Sequence, residues 1–308
     1  MMEMANEVVV VGNAGIDTNV YLLGADVDWT VEANFTENID YVGQAGGYAS
    51  RAYAQLGHRT AFVGAVGDDW QGRFVREELG RDGVDLSALF LDPAGTARSV
   101  NIMYRDGRRK NFYDGKGHMT FRPDLQACRT AMRRARLAHF NIPNWARLLL
   151  QIAREEGLTV AVDLQDMVAP DDPYRRDFIE QADILFFSAA NYTDPSDLMR
   201  QLLSGRADRI VICGMGSRGA ALATAEGVRF FAPVDLPEPI VDTNGAGDAL
   251  ACGFLSSYIL DEYPLEQSIL RGQIAARHMC ARRATSGGGI TRAQLDLAVA
   301  RLGGELRR

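Results

Sequence analysis

No stretch of this 308-residue chain stays apolar long enough to cross a bilayer. Its first residues also lack the basic region of a secretory signal, carrying Glu3 and Glu7 instead, so the expected location is the cytoplasm. Cysteine is scarce: four residues, at 128, 213, 252 and 280, form no C-x-x-C pair. A disulfide framework is thereby excluded, and the thiols read as reduced and mostly buried. The four histidines, His58, His118, His139 and His278, have no metal-ligand spacing and read as structural or surface residues. Positive charge is short as well. With 33 Lys and Arg against 40 Asp and Glu, the net charge of −7 argues against a nucleic-acid partner. The G-x-x-x-x-G-K-[ST] pattern is absent, which excludes P-loop chemistry. Gly12-Asn13-Ala14-Gly15 follows the first apolar strand but lacks the third glycine of a dinucleotide fingerprint. Low-complexity tails, charge runs and internal repeats are missing too.

Against these absences one stretch stands out, Asp242-Thr243-Asn244-Gly245-Ala246-Gly247-Asp248. It follows Pro237 and Pro239, which favour extended backbone, and precedes a run that stays apolar from Ala249 to Leu260. Such a run reads as a buried helix. The small residues then sit at its N-terminus, where backbone N–H groups and the helix dipole attract an anion. Asp248 falls just inside the first turn. An anion nest beside a carboxylate suits phosphoryl transfer: Gly245, Ala246 and Gly247 stabilise the moving group and Asp248 takes the proton of the attacking hydroxyl. A plain capped helix, opened by glycines, is the competing reading.

The order of these residues resembles the C-terminal signature of the ribokinase-like (PfkB) family of sugar and nucleoside kinases, with Cys252 in place of a small residue. Further segments extend the resemblance over nearly the whole chain. Gly46-Gly47-Tyr48-Ala49-Ser50-Arg51 through Leu56-Gly57 resembles the N-terminal signature, read as a Gly turn, a helix and a glycine stop. Arg51 stands where the family has a substrate-contacting Asn. It is either a fork of donors for an anionic substrate or the partner of a local carboxylate. Val66-Gly67-Asp68-Asp69, with the helix Phe74–Leu79 and Gly83-Val84-Asp85, matches as scaffold.

The resemblance implies that Asp17, Gly46 and Gly47 meet the substrate, although the family's Asn two residues before that Asp is Gly15 here. It implies nucleotide binding by Asn191, Gly214, Gly216, Ser217, Gly219, Gln273 and Gly287. A tight turn at 214–219 and a flexible linker at 286–289 are the plain alternatives. Asn191-Tyr192-Thr193-Asp194 resembles the Asn-x-x-Glu motif that organises Mg²⁺; Asp194 either serves that role through water or caps the helix after Pro195. Asp242 lies near the family's monovalent-cation site, which implies K⁺. Asp163-Leu164-Gln165-Asp166 matches the family only loosely and receives no catalytic role.

From 125 to 260 helices and buried strands alternate: helices at 125–136, 144–155, 174–181 and 194–203, strands at 137–140, 158–163, 183–187 and 209–213. Alternation implies a parallel sheet whose strand ends at 141–144, 163–166, 188–194 and 214–219 gather on one edge. A helix is expected at 265–283. Segments 18–45 and 96–113, the latter a hairpin turning near Asp106-Gly107, break the rhythm and read as a small sheet over the site. The expected fold is therefore a single α/β domain over 1–308, a three-layer sandwich around a mostly parallel sheet with a β-sheet lid. The expected activity is ATP- and Mg²⁺-dependent phosphorylation of a hydroxymethyl group on a sugar or sugar-like alcohol. A nucleoside kinase, with Tyr48, Phe112 or Tyr113 holding the base, is the nearest alternative. A non-catalytic sugar- or nucleotide-binding regulator is the other, motivated by Gly15, Arg51 and Asp194. Homodimerisation through the lid is expected.

Overall fold

The structure, a computed structural model, describes residues 5–305 apart from Gly107 and Val168. Glu3 and Gly107, used above, lie outside the described residues. The chain opens with β1 (Val8–Val11), then leaves the large sheet for β2 (Gly15–Leu22) and β3 (Thr36–Gly43). It returns through α1 (Ala45–Gln55), β4 (Thr60–Val66), α2 (Trp70–Arg81) and the short β5 (Leu89–Leu91). A second excursion makes β6 (Ala97–Met103) and β7 (Arg109–Asp114). The alternating half follows as α3 (Leu125–Met132), β8 (Leu137–Phe140), α4 (Arg147–Glu155), β9 (Thr159–Asp166), α5 (Arg176–Gln181), β10 (Ile184–Ser188), α6 (Ser196–Leu203) and β11 (Ile210–Gly214). A hairpin of β12 (Ala220–Thr224) and β13 (Gly227–Phe231) precedes α7 (Ala246–Leu255), α8 (Leu265–Cys280) and α9 (Arg292–Glu305).

The large sheet has nine strands in the order β13-β12-β11-β10-β9-β8-β1-β4-β5. All neighbours are parallel except the β11-β12-β13 edge. Period-2 alternation divides each strand between the two faces. Val9 and Val11 pack with Met132, Leu149, Phe178 and Met199 of α3 to α6. Val8 and Val10 pack with Tyr53, Leu79, Phe254 and Ile269 of α1, α2, α7 and α8. The result is the expected helix–sheet–helix sandwich.

The two excursions form one four-stranded sheet, β3-β2-β6-β7, with β2 and β6 parallel. Three local expectations are corrected. The helix expected over 125–136 ends at Met132. The apolar run after Asp248 leaves α-geometry at Leu255 and finishes as a π turn over Ser256–Leu260. Gly46 and Gly47 lie within the first turn of α1, which starts at Ala45, instead of forming a turn before it. The β12–β13 hairpin has no counterpart in the sequence reading, because its buried half, Ala220–Thr224, is a short run of small residues. Among the described residues no helix is long and apolar enough to cross a membrane.

Candidate active site

Parallel strands deliver their carboxyl ends to one edge, and the small sheet covers it. Between them lies a cavity of about 1190 Å³, lined from Asn141 (after β8), Asp163 and Asp166 (β9), Ser188 (β10) and the loop after β11. The lid contributes Asp17, Ser99 and Tyr113. This is the gathering that the alternation implied.

Gly245 caps α7 with φ of 73°, a left-handed conformation that suits glycine. A Cβ there would stand 2.3 Å from the Tyr48 ring, so two constraints select glycine. Gly247, two residues on, is different: a Cβ would meet nothing within 4 Å, because the residue faces open cavity. The Ala246 N–H donates to Thr243 O at 3.3 Å, whereas the N–H groups of Gly245 and Gly247 have no partner among the described residues. The nest thus offers Gly245 and Gly247 ahead of Ala246.

Asp248 lines the same cavity, with Oδ1 buried and unpartnered. Burial, reinforced by the charge of Asp163, holds its carboxyl well above the ordinary range. Asp163 itself is pushed up to about 6 by burial. A missing role is thereby supplied: Asp163 is a buried cavity carboxylate that the loose motif match had set aside. Its place at the end of a parallel strand was the signal that could have found it.

Asp17 is buried on β2 and accepts from Gln44 Nε2 at 2.8 Å. Burial raises its carboxyl to about 6. A raised carboxylate pKa stabilises the fold below its unfolded value near 4, and that stability is lost as pH rises through about 6. Asp17→Asn should therefore match the ligand-free wild type near pH 4 and exceed it at pH 8 by up to about 3 kcal/mol, while raising the acceptor KM. Thermal melts across pH and steady-state kinetics check the two halves.

Several expected residues lie elsewhere. Gly46 and Gly47 do not line the cavity; a Cβ at Gly46 would stand 2.6 Å from Asn13 O and one at Gly47 3.1 Å from Val42. Their absence of side chain lets α1 approach the end of β1, and it is Gln44, Ala45 and Tyr48 that face the cavity. Arg51 is 7% exposed and committed to protein partners: Nε to Asp82 at 2.5 Å, Nη2 to Glu78 at 3.1 Å, Nη1 to Ser286 at 3.2 Å. The local-carboxylate reading is the one realised. Gly287 sits against that guanidinium and not in a nucleotide pocket. Removing one side of a buried ion pair strands the other, so Arg51→Asn should destabilise by about 3 kcal/mol and leave acceptor selectivity unchanged. Denaturant titration and a substrate panel test this.

Asn191 donates to Met167 O, and the exposed Asp194 accepts from Ser196 N at 2.9 Å; neither lines the cavity. Asp194 is a cap of α6. Asp242 is 4% exposed, and Oδ2 accepts from Asn19 (2.9 Å), Tyr21 (2.7 Å) and the Ala284 N–H (3.2 Å), while Oδ1 accepts from the Asn244 N–H (2.9 Å). Through these bonds its carboxylate ties lid to nest. Gly214, Gly216, Ser217, Gly219 and Gln273 do line the cavity, as expected. His118 lines it as well, in a bridging position that its reading as a structural or surface residue did not place there. Its Nδ1 lies 3.1 Å from the Tyr113 hydroxyl and its Nε2 3.0 Å from that of Tyr174, bridging the lid and the loop before α5.

The cavity carboxylates are the groups whose chemistry suits the Mg²⁺ that the family resemblance implies. That ion binds one or two carboxylates plus substrate phosphates and keeps several waters. Asp163 and Asp166, on one strand end facing the nest, provide such donors. Asn191 and Asp194 do not.

An amide nest, a raised carboxylate at its edge and a lid over both describe a phosphotransferase that works in a covered cleft. The chain belongs to the pfkB family of carbohydrate kinases, which it matches over residues 5–291. It is 32% identical over 299 residues to an acarbose 7(IV)-phosphotransferase from Actinoplanes sp., spanning 96% of this chain and 98% of that one. A 5-dehydro-2-deoxygluconokinase from Geobacillus kaustophilus is 26% identical, over 94% and 92% of the two chains. Among solved structures, a microbiome-derived acarbose kinase superposes with a TM-score of 0.88 at 29% identity, over 97% of this chain and 100% of that one. Arabidopsis thaliana ribokinase complexed with ribose and ATP shares the fold at a TM-score of 0.80 and 20% identity, over 96% and 99%.

Proposed function

We propose that this kinase transfers the γ-phosphoryl group of ATP to a hydroxymethyl group of a sugar or sugar-like alcohol, with Asp248 as general base. The carrying observation is the placement of Asp248 at the edge of the Gly245–Gly247 nest, in one cavity with Asp17. The acceptor hydroxyl gives its proton to the Asp248 carboxylate as its oxygen bonds phosphorus. The bond from phosphorus to the β,γ-bridging oxygen breaks and ADP leaves. The amides of Gly245 and Gly247 hold the charge that builds on the moving group. The loop Gly214–Gly219 and Gln273 would hold the nucleotide. Asp17 would orient acceptor hydroxyls. Asp163 and Asp166 would hold Mg²⁺ through its water shell, and the ion would neutralise charge on the phosphates.

A polyhydroxylated acceptor fits the lid side, where Asn13, Gln44, Ser99, Asn101 and Asn111 present carboxamides and a hydroxyl. The nucleoside reading needs a free aromatic face. Tyr48 is packed on Gly245 and bonded to Tyr41, and Phe112 is not in the lining; Tyr113 does line the cavity, with its hydroxyl held by Asn13 and His118 and its ring in edge contact with His118. The departures that motivated a regulator lose their force: Arg51 and Asp194 are outside the cavity, and a Cβ at Gly15 would stand 2.1 Å from Ala97 O. A second copy pairing through the lid is supported by β7, an edge strand exposed at every residue. ADP production from Mg-ATP over sugars, sugar acids, polyols, nucleosides and acarbose, with and without K⁺, tests the reading. Turnover of a sugar or polyol supports it. Turnover of nucleosides alone, or binding without turnover across the panel, rejects it.

A further inference from the structure

Three arginines line the cavity, and they differ in how far the protein engages them. Arg175 pairs with Asp172 and donates to the carbonyls of Leu164 (3.0 Å) and Asp166 (2.9 Å). Arg277, on α8 and not on the lid, donates through Nη2 to the carbonyls of Leu236 and Glu238 and leaves Nη1 buried without a partner among the described residues. Arg109, on lid strand β7, makes no ion pair among the described residues. Its Nη1 donates to the neutral Oδ1 of Asn244, the residue directly before Gly245. A charged guanidinium, with Asn244 as the one side-chain partner found for it among the described residues, thus rests beside the anion nest.

We propose that Arg109 is a catalytic residue that completes the phosphoryl-binding site from the lid, and that Asn244 is the seat that positions it. The inference rests on the kinase reading above. Alternation along β7 turns Arg109, Asn111 and Tyr113 to the cavity, while Lys110 and Phe112 do not line it. The register of that strand is held by an amide chain: Asn111 donates to Asn101 at 2.8 Å, and Asn101 to Asn19 at 3.0 Å. Asn244 is held from the other side. Its backbone N–H donates to Asp242, and its Nδ2 lies 3.3 Å from Asn19 Oδ1. Its carbonyl oxygen is therefore left to the guanidinium. The charge of Arg109 acts on both Asp17 and Asp248, lowering each against the effect of burial. It shares the cavity with both carboxylates.

The chemistry follows from that position. As the acceptor O–P bond forms and the bridging O–P bond breaks, negative charge gathers on the moving group and on the leaving ADP. A guanidinium fork meets phosphate oxygens through parallel N–H donors, and keeps its own proton throughout. Because the cation is carried by the lid, the phosphoryl site is complete only with the lid in place. Water reaching an open cleft then meets an incomplete site.

Arg109→Gln should lower kcat by about 100-fold or more while the acceptor KM moves little. Arg109→Lys should recover part of the loss, since it restores charge without the fork. Asn244→Ala should lower kcat less, and the double variant should equal Arg109→Gln alone. Added methylguanidinium should restore turnover to Arg109→Gly, which a structural role would not permit. A kcat for Arg109→Gln within about threefold of wild type, a loss confined to acceptor KM, or additive effects in the double variant would overturn the assignment. Wild-type turnover is measured first, which keeps failure of the kinase reading separate. Should the wild type turn over no acceptor, ADP with aluminium fluoride reads the site directly. Weaker binding of that pair by Arg109→Gln, with ADP alone unchanged, supports the role, and equal binding rejects it.

Discussion

Asp248→Asn is expected to lower kcat by about 10²–10⁴-fold with little change in nucleotide affinity. The substitution keeps the shape of the side chain and removes the one group that accepts the acceptor's proton. The same group sets the pH dependence. Burial and Asp163 hold the Asp248 carboxyl above the ordinary carboxylate range. A protonated base cannot take a second proton, so wild-type kcat should fall on acidification at a pH higher than an ordinary aspartate would give. The residual activity of Asp248→Asn should lack that limb. The groups that face Asp248 are Asp163 from β9, Asp17 from β2 and Arg109 from β7, all of which influence its position. Steady-state rates from acid to neutral pH, with nucleotide binding measured by calorimetry, check the result. A variant within tenfold of wild type would remove Asp248 from the role of base.

The second large effect separates two glycines of one nest. Gly247→Ala should lower kcat by about 100-fold, the scale of losing one anion-hole donor. Beyond its chain neighbours and its own helix backbone, its methyl group would meet nothing within 4 Å, so it would project into the cavity where the proposed phosphoryl oxygens approach the amide. The fold should not suffer: the residue lies in the first turn of α7, and Ala is the better helix former by up to about 1 kcal/mol. Gly245→Ala is the contrasting case. Its φ of 73° and the Tyr48 ring 2.3 Å from the new Cβ impose strain on folding itself. It should lose activity and also about 1–3 kcal/mol of stability. Melting curves beside kinetics distinguish the two. A destabilised Gly247→Ala, or an active one, would mean that the space beside Gly247 is not where the phosphoryl group sits.

Much of the site was legible because its chemistry is local. The nest, its helix and Asp248 are adjacent in the chain, so spacing alone brings them together. The strand ends follow from alternation, since a parallel sheet puts every carboxyl end on one edge. Arg51 shows the limit. Its residue type suited a ligand, but Asp82 and Glu78 on the neighbouring helix claimed it. Asp194 and Asp242 differ in the same way, one exposed at a helix start and the other saturated by four donors. For Arg51 and most of the donors to Asp242 the partners lie on other elements, and no periodicity reports which of two chemistries such a side chain finds.

By itself the sequence determined the alternating sandwich, the lid as an interruption of its rhythm, and the placement of Asp248 beside the glycines at one helix start. Short-range backbone preferences and hydrophobic periodicity are sufficient for these. Tertiary structure decided which polar residues face the cavity: Asp163 and His118 joined it, Arg51, Gly287, Asn191 and Asp194 left it, and Arg109 arrived from the lid beside Asn244, 135 residues away in the chain. A side chain's surroundings are set by elements folded against it from afar. Whether a charge is neutralised there or left open to a ligand depends on those neighbours.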